Sequence, residues 1–229
     1  FGFYALYAPG TSVDTETVSS KLFQDWALRT VAIKPYPICH FNHAPVDSAL
    51  ALRHEHSLTS DEIDSVTILL DARQFGVVVD PIEAKRLPQS EYEAKFSVPY
   101  AVATALCKGR FSLADLEDTA RLDTEVLALA QRIECIHDER SRYPAAFSGG
   151  VRIRLSDGSE MEHFEAVNRG AEGQLLSHDQ VRKKFLDNCA LAISIESAER
   201  LWNTMMSLDE LEDLSALTAL LREDPKRSA

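Results

Sequence analysis

The spacing of apolar residues along this chain changes from helical to strand-like and back again. A period of three to four residues, typical of one face of an amphipathic helix, occurs at residues 18–28, 46–50, 96–106, 126–133, 181–192, 198–205 and 211–221. Residues 66–70 instead form a β-branched apolar run, and residues 151–155 alternate between apolar side chains and arginine, as strands do. The pattern predicts an α+β chain that opens and closes with helices.

Capping and turn signals set several element boundaries. Ser90 and Ser177 each begin a capping box, in which a glutamate or glutamine three residues later completes the helix start. The helix after Ser90 is predicted to run to about Lys108, with a kink at Pro99. Asp157-Gly158 is the turn signal of a two-residue β-hairpin.

The charge balance excludes one class of partner and constrains another. A net charge of −12 over 229 residues leaves little of the basic surface that nucleic-acid binding requires. An anionic ligand would need locally concentrated cations to overcome this field. No apolar run approaches the roughly 18–20 residues of a membrane helix, and no signal peptide is visible. We therefore expect a cytoplasmic protein without nucleic-acid or membrane partners.

The cysteines and histidines do not suggest a metal site. Four cysteines lie far apart without a CxxC pair, which favours free thiols over a disulfide scaffold or zinc: Cys39, Cys107, Cys135 and Cys189. His54 and His56 are two residues apart, and this spacing does not place them on one helix face. We predict neither a metal nor an organic cofactor.

Residues 31–50 concentrate titratable side chains around three prolines. Pro35 and Pro37 each restrict the preceding residue to extended backbone, and Pro45 suits the first turn of a helix. Titratable groups on a rigid segment just before a helix suit a site for a small anion or for proton transfer. The alternative is a polar, proline-rich loop without chemistry.

The candidates in this segment each have more than one interpretation. Lys34, held by a stiff backbone, can bind a carboxylate or act as an acid, or can be an ordinary surface lysine. His43 can shuttle a proton near neutral pH, or can be a core histidine bonded to a backbone carbonyl. The same two interpretations apply to His40. Tyr36 is expected to pack its ring and offer its hydroxyl as a donor.

These residues also carry a resemblance to a known family. Lys34-Pro35-Tyr36-Pro37, followed by Cys39, His43 and Asp47, resembles the lysine–tyrosine–proline–cysteine–histidine signature of the MmgE/PrpD family, which contains 2-methylcitrate dehydratases and cis-aconitate decarboxylases. Three later stretches resemble the same family's lid helix, late hairpin and "KF" helix: Glu93 to Ala101, Asp157-Gly158 and Lys183-Lys184-Phe185. Together they cover nearly the whole chain.

The resemblance implies a helical domain interrupted by an α+β lid. Residues 1–34 would belong to the helical domain, residues 35–176 would form the lid with a small, mostly antiparallel sheet, and residues 177–229 would return to the helical domain. The family's N-terminal helical half would be missing, and the start at Phe1 without a methionine agrees with missing upstream sequence. Family members generally form homodimers, so a homodimer is expected.

The resemblance further implies a cofactor-independent lyase that dehydrates or decarboxylates a small polycarboxylate such as 2-methylcitrate or cis-aconitate. Its implied catalytic residues are Lys34, His43 and His40. Its implied substrate-binding residues are Tyr36, Lys95, Ser97 and Arg86. Two alternatives stay open: an isomerase or epimerase of an anionic amino- or imino-acid on the same scaffold, and a non-catalytic half that binds a metabolite or a partner protein.

The chain departs from the family in one loop. Residues 169–173 read Arg-Gly-Ala-Glu-Gly where many members carry glycine–aspartate–proline. We therefore expect this loop to contact the substrate differently. The family's remaining acid–base residues would lie in the missing half, so the site of this chain alone would be incomplete.

Overall fold

The structure is a computed structural model, and it describes residues 2–7, 10, 14–26, 28 and 31–222. The chain divides into two compact units, Phe1–Ala32 and Ile33–Ala229. The described helices of the first unit are short: α1 (Phe3–Tyr7) and α2 (Thr15–Ser20). Parts of the predicted helical segments 1–34 and 177–229 lie outside the described residues.

The second unit contains both helices and strands, which confirms the predicted α+β class. Its helices before the second strand are α3 (His43–His56), α4 (Phe75–Val78), α5 (Ile82–Arg86), α6 (Glu91–Lys95), α7 (Val98–Lys108), α8 (Asp118–Arg121) and α9 (Thr124–Ala130). Its strands are β1 (Ile63–Leu70), β2 (Ile133–His137), β3 (Gly149–Leu155) and β4 (Glu160–Glu165). The helices that follow are α10 (His178–Cys189), α11 (Ile195–Met206) and α12 (Ser215–Leu220). No helix in the described part of the chain is long and apolar enough to cross a membrane.

The four strands form one mixed sheet in the order β2–β1–β3–β4. Strand β1 pairs in parallel with β2 and antiparallel with β3, and β3 pairs antiparallel with β4. The parallel pair was not predicted, because residues 126–133 were interpreted as one helix face. In the structure α9 ends at Ala130, and Ile133 begins β2 opposite Val66. Helices α4 to α9 supply the long crossover that two parallel strands need.

A hairpin joins β3 to β4 as predicted, but its loop is residues 156–158 and not two residues, since the Leu155 N–H donates to the Ser159 carbonyl at 2.9 Å. Gly158 adopts φ 86°, a left-handed conformation that glycine tolerates without a steric penalty. Val151 and Ile153 point into the core, whereas the arginines between and after them reach across to β4. These cross-strand ion pairs cover the outer face: Arg152 with Glu162 at 2.8 Å and Arg154 with Glu160 at 2.7 Å.

The helix predicted from Ser90 to Lys108 is two helices, α6 and α7. Ser97 lies between them and caps α7, because its hydroxyl accepts the Tyr100 N–H at 3.1 Å. Pro99 therefore falls in the first turn of α7, where its missing N–H leaves no hydrogen bond unmade. It starts a helix here and does not kink one.

Helix α3 is the centre of the core. It packs across β3 and β4 on one side and against α7 on the other, and α7 in turn packs against α9. Val46, Ala49 and Leu52 of α3 are almost completely buried. This packing fixes the start of α3, and with it the segment that precedes the helix, beside the loop that follows β4.

Candidate functional site

Residues 34–42, called the signature segment from here on, bend through residues 35–38 and end in one 3₁₀ turn, His40–Asn42, before α3. The extended backbone expected from Pro35 and Pro37 is therefore wrong. Tyr36 and Ile38 are buried, whereas Lys34 is exposed. The Lys34 ammonium donates a hydrogen bond to the Ile38 carbonyl at 3.2 Å. This hydrogen bond spans the bend, and Lys34 lies at the exposed rim of the segment.

Lys34, His40 and Lys184, called the basic cluster, combine the signature segment with α10. The Lys184 ammonium donates to the Lys34 carbonyl oxygen at 2.5 Å. Burial and, second, the nearby Lys34 charge lower the pKa of Lys184 and also the pKa of His40. Positive groups held near one another in this way form a ready site for an anion.

His43 lies behind this cluster. Its ring is fully buried, and Nε2 hydrogen-bonds to the Ile38 carbonyl at 3.3 Å. Burial is the main cause that lowers its pKa to about 3, with His40, Lys34 and Lys184 adding to the shift. A histidine bonded in this way is neutral near pH 7, so the geometry favours the core histidine of the two predicted interpretations over the proton shuttle.

Tyr36 is held by a polar triad in which Asp47 is largely buried and the Arg169 side chain is 33% exposed. Its hydroxyl donates to Asp47 Oδ1 at 2.6 Å and accepts from Arg169 Nη2 at 2.6 Å. Arg169 also pairs with Asp47 at 2.7 Å. Burial raises the pKa of Tyr36 well above its ordinary value. The hydroxyl is therefore committed to these two partners, and the triad ties the signature segment to the loop after β4.

That loop is joined to the signature segment by a close backbone contact. The Ile33 N–H donates to the Gly170 carbonyl at 3.0 Å. Gly170 adopts φ 87°, and a Cβ there would lie 2.0 Å from the Ile33 carbonyl oxygen. A side chain at residue 170 would therefore push the loop after β4 away from the backbone at Ile33.

The same loop places Asn168 against His40. Asn168 is almost completely buried, and its Nδ2 lies 2.6 Å from His40 Nε2. The sequence interpretation missed Asn168 and Arg169 as partners of the signature segment. The available signals were the departure from the family at residues 169–173 and the glycine two residues after Asn168.

The structure places the other predicted substrate-binding residues in local structural roles. Ser97 is buried, caps α7 and donates to the Lys85 carbonyl. The Lys95 ammonium pairs with Glu91 at 2.5 Å, while its backbone carbonyl accepts the Cys39 N–H at 2.8 Å. Arg86 donates twice to the Ile133 carbonyl, at 3.1 and 2.6 Å. None of these contacts involves the basic cluster.

A cleft of about 390 Å³ opens beside the basic cluster. Its lining includes Pro35, Tyr36, Phe111, Arg169 and Lys184, but neither Lys34 nor His40. It therefore adjoins the basic cluster through Lys184.

The cysteine thiols are free. The cysteines at 39, 107, 135 and 189 are unpaired by disulfides. Burial raises the pKa of the Cys39 thiol, which makes it a weaker nucleophile near neutral pH. Within the residues that the structure describes, no three His, Cys, Asp or Glu side chains are grouped as metal ligands.

Comparison with known proteins identifies the same family that the sequence motifs resemble. Residues 36–210 match the family model described as the MmgE/PrpD C-terminal domain. Cis-aconitate decarboxylase of Mus musculus is 25% identical over 233 residues, which cover 96% of this chain and 45% of that protein. The Homo sapiens cis-aconitate decarboxylase is 24% identical over 227 residues, with coverages of 96% and 45%. The cis-aconitate decarboxylase-like protein oryM of Aspergillus oryzae is 21% identical over 230 residues, with coverages of 96% and 47%. The chain thus spans about half the length of the curated relatives it matches.

Proposed function

Because this chain belongs to the MmgE/PrpD family, we propose that it carries the cationic side of a lyase site for a small polycarboxylate, with cis-aconitate and 2-methylcitrate as candidate substrates. The observation that carries the proposal is the basic cluster, in which Lys184 of α10 bonds directly to the Lys34 backbone and His40 lies within the field of Lys34. The Mus musculus and Homo sapiens relatives named above are cis-aconitate decarboxylases, which supports this substrate class.

The basic cluster provides local positive charge in a chain that is negatively charged overall. The chain carries a net charge of −12, so a tricarboxylate is repelled except where cations are concentrated. We propose that Lys34 and Lys184 bind two substrate carboxylates through charge-assisted hydrogen bonds, each worth about 1.5–3 kcal/mol. We propose that His40, whose ring lies 4.8 Å from that of the buried His43, contacts a third substrate oxygen.

Both candidate reactions develop negative charge that these cations would stabilise. In decarboxylation the C–C bond to the leaving carboxylate breaks, its electron pair stays on the substrate, and that carbon then takes a proton from an ammonium group. In dehydration a base removes the α-proton, and an acid protonates the departing hydroxyl to give water. Lys184, whose pKa is lowered, is a better proton donor near neutral pH than an ordinary lysine.

The residue roles are proposed as follows. Lys34 and His40 keep the catalytic roles assigned from the sequence, and Lys184 joins them. His43 and Tyr36 support the signature segment from behind. Because the relatives are about twice as long as this chain, we propose that further acid–base groups, and a homodimer, belong to the full-length protein.

A substrate screen tests the proposal. The full-length protein is incubated separately with cis-aconitate, 2-methylcitrate, citrate and iminodisuccinate, and products are followed by NMR and mass spectrometry. We expect loss of carbon dioxide or water from one of the tricarboxylates. Turnover confined to iminodisuccinate, with inversion at carbon, would instead establish the isomerase alternative. Binding without turnover of any of the four would establish a non-catalytic role.

A further inference from the structure

Asn168 lies between two fixed partners, and together they determine which way its amide points. Its Oδ1 accepts the backbone N–H of Phe147 at 3.2 Å, and its Nδ2 lies 2.6 Å from His40 Nε2. Rotating the amide by half a turn would place the NH₂ group against the Phe147 N–H, donor against donor. The Phe147 backbone therefore settles the orientation of the amide.

This orientation has a consequence for the proton on His40. Because Nδ2 of Asn168 is a donor, His40 Nε2 must present its lone pair. A neutral imidazole carries one proton, which then resides on Nδ1. Within the described residues Nδ1 of His40 has no hydrogen-bond partner, and it is not sealed from solvent. The N–H group of His40 is thus the one that remains available.

We propose that Asn168 is a positioning residue that holds His40 in the tautomer protonated at Nδ1, so that His40 serves as a neutral hydrogen-bond donor to a substrate oxygen and does not itself exchange a proton. The tautomer follows from contacts inside this chain alone. Only the substrate oxygen as its target rests on the proposed function.

The groups around His40 also favour a neutral ring. Lys34 and His43 face the ring, and the Lys34 charge opposes a second positive charge beside it. A proton arriving at Nε2 would also meet the Asn168 NH₂ group and break their hydrogen bond. A neutral imidazole that donated its remaining proton would become an imidazolate, which is far too basic to form near neutral pH. His40 is therefore suited to stabilise developing negative charge, and proton transfer is left to groups such as the Lys184 ammonium.

The tautomer can be read directly by NMR. Long-range proton–nitrogen correlation spectra of full-length protein with ¹⁵N-labelled histidine distinguish protonated from unprotonated ring nitrogens, and His40→Gln identifies the His40 signals. We expect a pyrrole-type Nδ1 and a pyridine-type Nε2. A pyrrole-type Nε2 in the unmodified protein would overturn the proposal outright.

Asn168→Asp should reverse the tautomer preference of His40, while the side chain at residue 168 keeps almost the same shape. One carboxylate oxygen still accepts the Phe147 N–H, while the other now demands a donor from His40. The proton should move to Nε2, and the His40 titration should move to higher pH. Asn203→Asp makes the same chemical change at an exposed position of α11 and should leave the His40 spectrum and the kinetics unchanged. An unchanged His40 tautomer in Asn168→Asp would contradict the proposal.

Kinetics separate this positioning role from a merely structural one. Asn168→Asp should lower kcat on the tricarboxylate identified in the screen by at least about 10-fold, the loss of one hydrogen bond in the transition state. Its thermal melt should stay close to that of the unmodified protein. If the His40 tautomer changes in Asn168→Asp but kcat does not, the proposed contribution of His40 to turnover is refuted, whereas the assignment of its tautomer stands. If no tricarboxylate is turned over, the proposed function fails, and the NMR spectra still decide the tautomer.

Discussion

The Lys184 ammonium donates a hydrogen bond to the backbone carbonyl oxygen of Lys34 at 2.5 Å, across 150 positions of sequence. The contact joins α10 to the rim of the signature segment and places two lysines side by side. Neither lysine neutralises the other, and the Lys34 charge lowers the pKa of Lys184. Like charges held together in this way are suited to bind an anion with more than one carboxylate.

The first prediction concerns Lys34. Lys34→Ala should lower kcat/KM by about 10- to 150-fold, because it removes one charge-assisted hydrogen bond worth about 1.5–3 kcal/mol. A larger loss would indicate that Lys34 transfers a proton as well as binding. Steady-state kinetics on the identified substrate give the value, and thermal melts check that the fold is retained.

Lys183→Ala is the matched control for loss of a lysine near the site. Lys183 is the neighbour of Lys184 on α10, is largely exposed and pairs with Asp187. It should keep nearly the full kcat/KM. If Lys34→Ala also keeps the full value, the signature segment returns to its interpretation as a polar loop.

The second prediction is a pH effect. Burial and the Lys34 charge lower the pKa of Lys184 below its ordinary 10.5, so the Lys184 ammonium is lost at a lower pH than usual. If that ammonium acts in turnover, the alkaline limb of the kcat/KM profile lies below that value. Lys34→Gln removes one cause of the shift, so the limb should move to higher pH while kcat/KM falls. A limb that stays in place would show that it does not report Lys184.

The signature segment could be predicted because its signals are local. Pro35 and Pro37 mark its place before α3 within four residues, although the extended backbone they predict is replaced by a bend over residues 35–38. Asn168 and Arg169 could not be predicted, since their partners His40 and Tyr36 lie 128 and 133 positions away. No spacing rule connects residues so distant in sequence.

The fold shows the same division between local and distant signals. The hairpin at Asp157-Gly158 and the cap at Ser177 follow from a few adjacent residues, and both are found, although the hairpin loop is one residue longer than predicted. Strand β2 was missed because its first residue, Ile133, continues the apolar spacing of the preceding helix. Its identity as a strand depends on pairing with Val66, which lies far away in sequence.

The third prediction concerns the stability contributed by His43. The folded protein keeps His43 neutral down to a pKa of about 3, whereas the unfolded chain protonates it near 6.5. Between these values the unfolded state binds more protons, so the free energy of unfolding falls as the pH falls through this window. His43→Gln should reduce that dependence, as measured by urea unfolding at about pH 7 and about pH 4.5.

His54→Gln provides the control, because His54 is exposed on the same helix α3. Its pH dependence should match that of the unmodified protein. An unchanged slope in His43→Gln would mean that other groups dominate the acid sensitivity. A neutral His43 also implies that its replacement should not remove a limb of the pH–rate profile near neutrality.

The fourth prediction concerns association. Several large apolar side chains of the first unit are exposed, Phe23 at 86% and Leu28 at 81% among them. Exposed apolar surface of this kind favours association, so the 229-residue chain should form dimers or bind a hydrophobic dye. Phe23→Ser with Leu28→Ser should weaken both effects, whereas Tyr92→Ser, an exposed aromatic change in the second unit, should not. Light scattering that shows a 25.5 kDa monomer without dye binding would contradict this.

The last prediction concerns the triad that holds Tyr36. Asp47 is about 10% exposed and accepts hydrogen bonds from Tyr36 and Arg169. Arg169→Leu leaves that carboxylate buried without its cation, so the free energy of unfolding should fall by about 1–3 kcal/mol. Adding Asp47→Asn removes the stranded charge and should recover part of the loss.

A double-mutant cycle on Arg169 and Asp47 measures their coupling through urea unfolding of the single and double variants. We expect a coupling of about 0.5–3 kcal/mol, as found for residues in one hydrogen-bond and salt-bridge network. The pair Arg182 and Glu199 is the control, since both side chains are more than a third exposed and such pairs contribute about 0–1 kcal/mol. If Arg169 and Asp47 couple no more strongly than this surface pair, the loop after β4 is not held by the triad. The position of Asn168 beside His40 would then depend on the Gly170–Ile33 backbone contact instead.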